Sequence, residues 1–252
     1  KEKILENKKN GMLVLVVGTI LYIAAFIGLV IGSEMSDVGG SPVLMIISIA
    51  YLFIGWIFVP GLKILKPSEA LVLTLFGKYI GTIKGDGFYF VNPFCSAVNP
   101  AAKTKLSQSG DVHPIPVVAT SSQNGTPTEI VSKKLSLKIM TLNNSRQKIN
   151  DCLGNPIEIG IAVTWRIIDT AAAVFNVDNY KEFLSLQCDT ALRNIVRMYP
   201  YDVAPNVDTT GDGQADDGSL RGSSEIVANR IREEIQARVQ DAGLEIVEAR
   251  IT

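Results

Sequence analysis

The chain has 252 residues, 47% of them hydrophobic, with 24 basic and 25 acidic side chains and a net charge of −1. This balance gives nucleic acid no basic footprint to bind. The only histidine, His113, excludes a multi-histidine metal site by count. Cys95, Cys152 and Cys188 show neither a Cys-x-x-Cys spacing nor an even number, so they read as free buried thiols in a reducing compartment.

The average hides two materials. Residues 12–33, MLVLVVGTILYIAAFIGLVIGS, and residues 43–62, VLMIISIAYLFIGWIFVPGL, contain no charge. At 1.5 Å per residue each run makes a helix about 30 Å long, the thickness of a bilayer's hydrocarbon core. The reading is therefore two transmembrane helices, 12–33 and 43–65, joined by a short loop at 34–42. A cleaved signal peptide would explain the first run only, and the gap shows no small-residue cleavage site. Pro60 and Gly61 leave room for a kinked or re-entrant second helix. Lys1, Lys3, Lys8 and Lys9 precede the first run and Lys63 and Lys66 follow the second, whereas the gap holds Glu34 and Asp37 and no base. Basic flanks stay on the cytoplasmic side, so the gap is expected to face outward, with the basic N-terminus (1–11) and everything from Lys63 in the cytosol.

Beyond the apolar runs, EALVLTLF (69–76) has the content of a strand that Gly77 ends, and YIGTI and FYFV follow around the turn signal KGDG. Residues 107–132, rich in Ser, Thr, Pro, Gly and Asn, read as loop, with IPVVAT offering a short edge strand. KKLSLKIMT (133–141) alternates, placing Leu135, Leu137 and Ile139 on one face. IEIGIAVTWRII reads as one long strand with Ile157, Ile159, Ile161, Val163, Trp165 and Ile167 inward and Glu158, Gly160, Thr164 and Arg166 outward. Thr170 is positioned to cap AAAVF, and Asn179 with Glu182 resembles a capping box. The helix it opens carries a stripe of Leu184, Cys188, Ala191, Leu192, Ile195 and Tyr199 up to Pro200. A last helix starts at Ser223 or Ser224, buries Ala228, Ile231, Ile235, Val239 and Ala242, and stops at Gly243; LEIVEARI then forms a closing strand. Strands, then helices, then one strand describe an α+β domain.

Chemistry-bearing patterns are few. No glycine-rich phosphate loop with a lysine is present, and no carboxylate pair stands out. Asp208, Thr210, Asp212, Gln214 and Asp216 fall at alternate places of a calcium loop, with Gly213 at the sharp turn. The twelfth place is Ser219 and not the bidentate Glu, and Pro205 and Asn206 stand where an entering helix belongs. A cation held there would be held weakly, and an acidic surface loop is the plain alternative. No other cofactor is implied.

PSEALVLTLFGKYIGTIKGDGFYFVNPF, NPIEIGIAVTWRIIDTAAAVFNVDNY, ALRNIVRMYPYD and EIQARVQDAGLEIVEARI follow one another behind the apolar runs. In this order they resemble the stomatin/prohibitin/flotillin superfamily, also called SPFH or band 7, over roughly residues 60–252. The resemblance implies a two-lobed SPFH domain, mostly antiparallel strands packed with helices, with lobes at 66–153 and 154–252 and a coiled coil following the last strand. It implies a domain lying on the cytoplasmic leaflet of the plasma (inner) membrane, and a large homo-oligomeric ring or cage that organises a membrane microdomain. Regulation of a membrane-bound protease or another integral partner is the alternative, and a calcium-responsive membrane domain a third; no enzymatic activity of its own is implied. In this frame Phe88, Phe90 and Phe94 are candidates for membrane contact, and Glu158, Arg166, Arg230, Glu234 and Arg238 for contact with neighbouring copies. The expected partners are the lipid bilayer, further copies of the chain and a membrane protease, with no nucleic acid.

Overall fold

The computed structural model describes residues 2–5, 10–37, 43–106, 108, 132–202, 219–221 and 224–252. The chain gathers into two compact units, Lys3–Val98 and Asn99–Thr252 with Glu2. The lobe boundary expected after residue 153 falls inside the second of these.

The first unit opens with α1 (Gly11–Asp37) and α2 (Val43–Gly55), which continues as a 3-10 turn over Trp56–Gly61. Contacts of Tyr22 with Leu52, Gly28 with Ser48 and Gly32 with Met45 make the two helices an antiparallel hairpin. Small residues permit that approach: a Cβ on Gly28 would lie 2.9 Å from Ser48 Oγ, and one on Gly32 2.9 Å from the Met45 amide nitrogen. The helices turn large apolar side chains outward, with Phe26 62% and Phe53 78% exposed. A core helix of a soluble protein would bury them, so length, composition and exposure together give two helices suited to cross a membrane.

The second helix ends earlier than expected. Pro60 has no amide to extend the ladder, and residues 62–65 form strand β1 (Leu62–Leu65) where the sequence suggested a helix to residue 65. β2 (Glu69–Leu75), β3 (Lys78–Lys84), β4 (Gly87–Phe90) and β5 (Cys95–Ala97) follow. β1 pairs with β4, and β2 lies between β3 and β5, all antiparallel. Alternation sends Leu71, Leu73, Ile83, Tyr89 and Val91 into one core with Leu65 and Cys95.

The second unit contains β6 (Leu135–Ser136), β7 (Met140–Asn143), β8 (Gln147–Asn150), β9 (Pro156–Ile159), β10 (Ile161–Ile167), α3 (Thr170–Phe175), α4 (Tyr180–Val196), α5 (Ser224–Val239) and β11 (Leu244–Ile251). Its main sheet runs β11–β10–β7, and β8–β9 is a separate hairpin. Val163 and Trp165 from β10, Leu184 and Leu192 from α4, Ile231 and Ile235 from α5, and Leu244 from β11 are fully buried.

Three expectations shift in the second unit. The alternation through 133–141 breaks at residues 137–139: Ile139 is exposed, and Met140 and Leu142 point inward instead. The long strand divides at Gly160, whose backbone exchanges hydrogen bonds with Thr252 at 2.8 and 3.0 Å. The cap of α3 is Asp169, whose Oδ1 accepts from the Ala172 amide at 2.8 Å, one residue before the expected Thr170. Asn179 caps α4 as expected, and Gly243 takes the left-handed conformation, φ 66°, that stops the last helix. Residues 107 and 109–131 lie outside the described residues, and so does the IPVVAT strand.

Candidate membrane-contact and neighbour-contact surfaces

Within the first unit the strand register gathers one end of each sheet. Leu62 directly follows the second apolar segment and pairs with Phe90. The Val91 amide donates to the Gly61 carbonyl at 2.9 Å, and the Phe58 and Phe90 rings lie 6.4 Å apart. Phe88 meets the start of α1, where a Cβ on Gly11 would sit 2.8 Å from its ring. Of the FYFV stretch, then, Tyr89 and Val91 face the core while Phe88 and Phe90 turn to the helix ends.

Phe94 stands apart. It is 60% exposed, and its ring stacks on that of Phe76 at 6.4 Å and 25°. Phe76 is 88% exposed and occupies the tip of the β2–β3 hairpin, where Leu75 pairs with Lys78. Phe76 and Gly77 have φ of 48° and 84°, the pattern of a two-residue type I′ turn. Asn, Asp or Gly normally fills the first place of such a turn; a Phe there holds about 1–2 kcal/mol of backbone strain. Sequence reasoning ended the strand at this Phe and saw no site. The available signal was a bulky aromatic immediately before the glycine of a hairpin turn.

The charges proposed for neighbour contact are mostly engaged within the second unit. Arg166 on β10 and Glu245 on β11 form an ion pair on the sheet face opposite the helices. Their hydrogen bond holds Glu245 below the usual carboxylate range and raises Arg166 further. Arg238 on α5 binds Glu234 at 2.6 Å and Gln187 of α4 at 3.5 Å. Arg230 donates to the Tyr199 hydroxyl at 2.5 Å and its guanidinium lies 5.8 Å from that ring's centroid. Glu158 lines a shallow cleft with Asp151, Asn155 and Tyr201.

Asp151 is the buried acid of that cleft, and its oxygens are taken by its own chain. Oδ1 accepts from the amides of Leu153 and Asn155, and Oδ2 accepts from the Tyr201 amide and the Asn155 side chain. Burial alone would raise its pKa; these hydrogen bonds outweigh burial and hold it below the usual range. A carboxylate so occupied fixes a loop and has no proton to trade at neutral pH. The thiols are equally unsuited to attack: burial pushes Cys188 and Cys95 up, and desolvation with the Asp151 charge pushes Cys152 up. Cys152 is exposed, against the expectation of a buried thiol. Among the described residues no group of His, Cys, Asp and Glu could hold a metal. The calcium-like positions Asp208, Thr210, Asp212, Gln214 and Asp216 lie outside the described residues.

The arrangement defines a membrane-associated α+β protein whose folded domain begins where its second apolar helix ends. The chain belongs to the SPFH domain / Band 7 family, whose model matches residues 63–252. No curated protein matches the chain.

Proposed function

We propose that the chain is a membrane-anchored scaffold. Both apolar helices span the bilayer, the domain from Lys63 lies on the cytosolic face of the plasma (inner) membrane, and many copies assemble into a ring or cage that organises the enclosed patch. In this reading the protein has no enzymatic activity of its own and needs no cofactor. The observation that carries it is the SPFH match starting at residue 63, directly behind an apolar segment that ends at Gly61.

With so short a link each copy is held at one depth and one tilt. Part of the freedom lost on association is then removed in advance, and contacts too feeble to join free domains add up around a closed circle. Phe88, Phe90 and Phe94 supply aromatic contact with the interfacial region. Glu158, Arg166, Arg230, Glu234 and Arg238 supply polar contact with the next copy; exposed pairs such as Arg166–Glu245 can exchange partners at little cost.

The test is electron microscopy of the full chain in mild detergent. Closed rings of many copies are expected, and solitary monomers or dimers would sink the scaffold. A second membrane protein, such as a protease, co-purifying in fixed ratio would replace it with the regulatory reading. Protease access from the cytosolic side checks the orientation.

A further inference from the structure

We propose that the Phe76–Phe94 ring pair, with Lys78 beside it, is a separate lipid-docking tip that enters the interfacial region of an anionic bilayer. This rests on the anchor reading above and deepens the Phe94 contact named there, adding Phe76 and Lys78 to it and an anionic headgroup layer as its partner.

Four observations converge. First, the two rings are exposed and touch each other, so they form one apolar patch and not two scattered residues. Second, the patch lies at the helix end of the unit. β5 starts at Cys95, which pairs with Leu75, so Phe94 and Phe76 share an end of the sheet; Phe94 is only four residues beyond Phe90, which meets Phe58. Four residues reach at most about 14 Å. The tip thus cannot stray far from the level at which the second apolar segment ends. Third, charge is sorted along the unit. Residues 57–63, 75–79 and 90–98 contain Lys63 and Lys78 and no acid. The opposite end of the strands carries Glu69 and Asp86 beside Lys66 and Lys84, roughly 20 Å away at 3.3 Å per strand residue. An aromatic tip with lysine and without carboxylate suits an anionic headgroup layer. Fourth, the turn geometry favours Asn or Gly, and Phe76 is there despite it. The ring therefore contributes something that the turn does not need.

The experiment uses the full chain in lipid nanodiscs with Cys152 changed to Ser, because Cys95 and Cys188 are buried. Spin labels are placed singly at Phe76→Cys and Phe94→Cys, with Ile47→Cys in the second helix as lipid reference and Lys66→Cys at the far turn as water reference. Accessibility to oxygen against a water-soluble nickel chelate is measured in discs with and without phosphatidylserine. The expected result is an oxygen-dominated signal at 76 and 94, close to Ile47 and unlike Lys66. Changing Lys78 to Gln should cut the ratio of docked to undocked tip by about fivefold, as for one lysine at an anionic surface, and removing phosphatidylserine should cut it at least as much. Phe76→Asn should raise the melting temperature, because Asn suits the turn, while lowering oxygen access at 94; a purely structural role would not give opposite signs. Signals at 76 and 94 that match Lys66 while Ile47 stays lipid-like overturn this proposal and leave the anchor standing. A water-like Ile47 removes the anchor, and the docking tip with it.

Discussion

Asp151 bonds three backbone amides and one side-chain amide, so a single carboxylate sets the turn between β8 and β9 and the chain after α4. Asp151→Ala removes the acceptor of all four donors, but Leu153, Asn155 and Tyr201 are exposed and water can reach most of them, so the change should cost about 3 kcal/mol, the upper end for one buried unsatisfied group. Asp151→Asn keeps one accepting oxygen and should cost roughly half of that. Folding lowers this pKa, so its stabilisation is complete above the unfolded value near 3.9 and is lost as pH falls through the lower folded value. Thermal melts should therefore be flat above about pH 5 and fall below about pH 4, with a shallower acid slope in Asp151→Asn. None of this is legible in the sequence, because one of the partners of Asp151, the Tyr201 amide, is fifty residues away in the chain.

Two elements show how local rules and distant contacts divide the work. The first is the α1–α2 hairpin, where the Tyr22 hydroxyl of α1 donates to the Leu52 carbonyl of α2 at 3.0 Å. In lipid no water competes for such a bond between helices. Tyr22→Phe should weaken the hairpin by about 0.6 kcal/mol, the average for hydrogen bonds between membrane helices, and unfolding in bicelles with Tyr22→Phe and its parent measures it. The second element is the stretch between α4 and α5. The Leu220 amide donates to the Pro200 carbonyl at 2.9 Å and the Arg221 amide to the Tyr201 carbonyl at 3.2 Å. The chain thus leaves at Asp202 and returns at Ser219 as a neighbour. Replacing residues 203–218 with a short Gly-Ser link should keep the melting temperature within a few degrees, since loop closure grows only slowly with length. Calcium calorimetry on both forms then assigns any heat: uptake by Asp208, Asp212 and Asp216 would vanish with the excised segment.

For the whole molecule, the open face of the β11–β10–β7 sheet gives the sharpest handle on assembly. Arg166→Glu places two acids side by side where a pair now stands, on a face turned away from the core. The melting temperature should change little, because an exposed pair adds little stability. If copies meet across this face, repulsion repeats at every junction of the ring, and particle size measured by light scattering or microscopy should fall sharply. Unchanged rings would move the neighbour contact to another face.

The sequence alone determined what periodicity and composition control. The two apolar helices, the stripe Leu184–Cys188–Leu192, the inward row from Ile159 to Ile167, the caps at Asn179 and Gly243 and the α+β class depend on neighbours a few residues apart, and so they could be read directly. The tertiary structure alone decided where rows change register and which exposed groups meet. The division at Gly160 by Thr252, the satisfaction of Asp151 and the meeting of Phe76 with Phe94 each join residues far apart in the chain. Local pattern fixes which way a side chain points; only the folded backbone fixes what it points at.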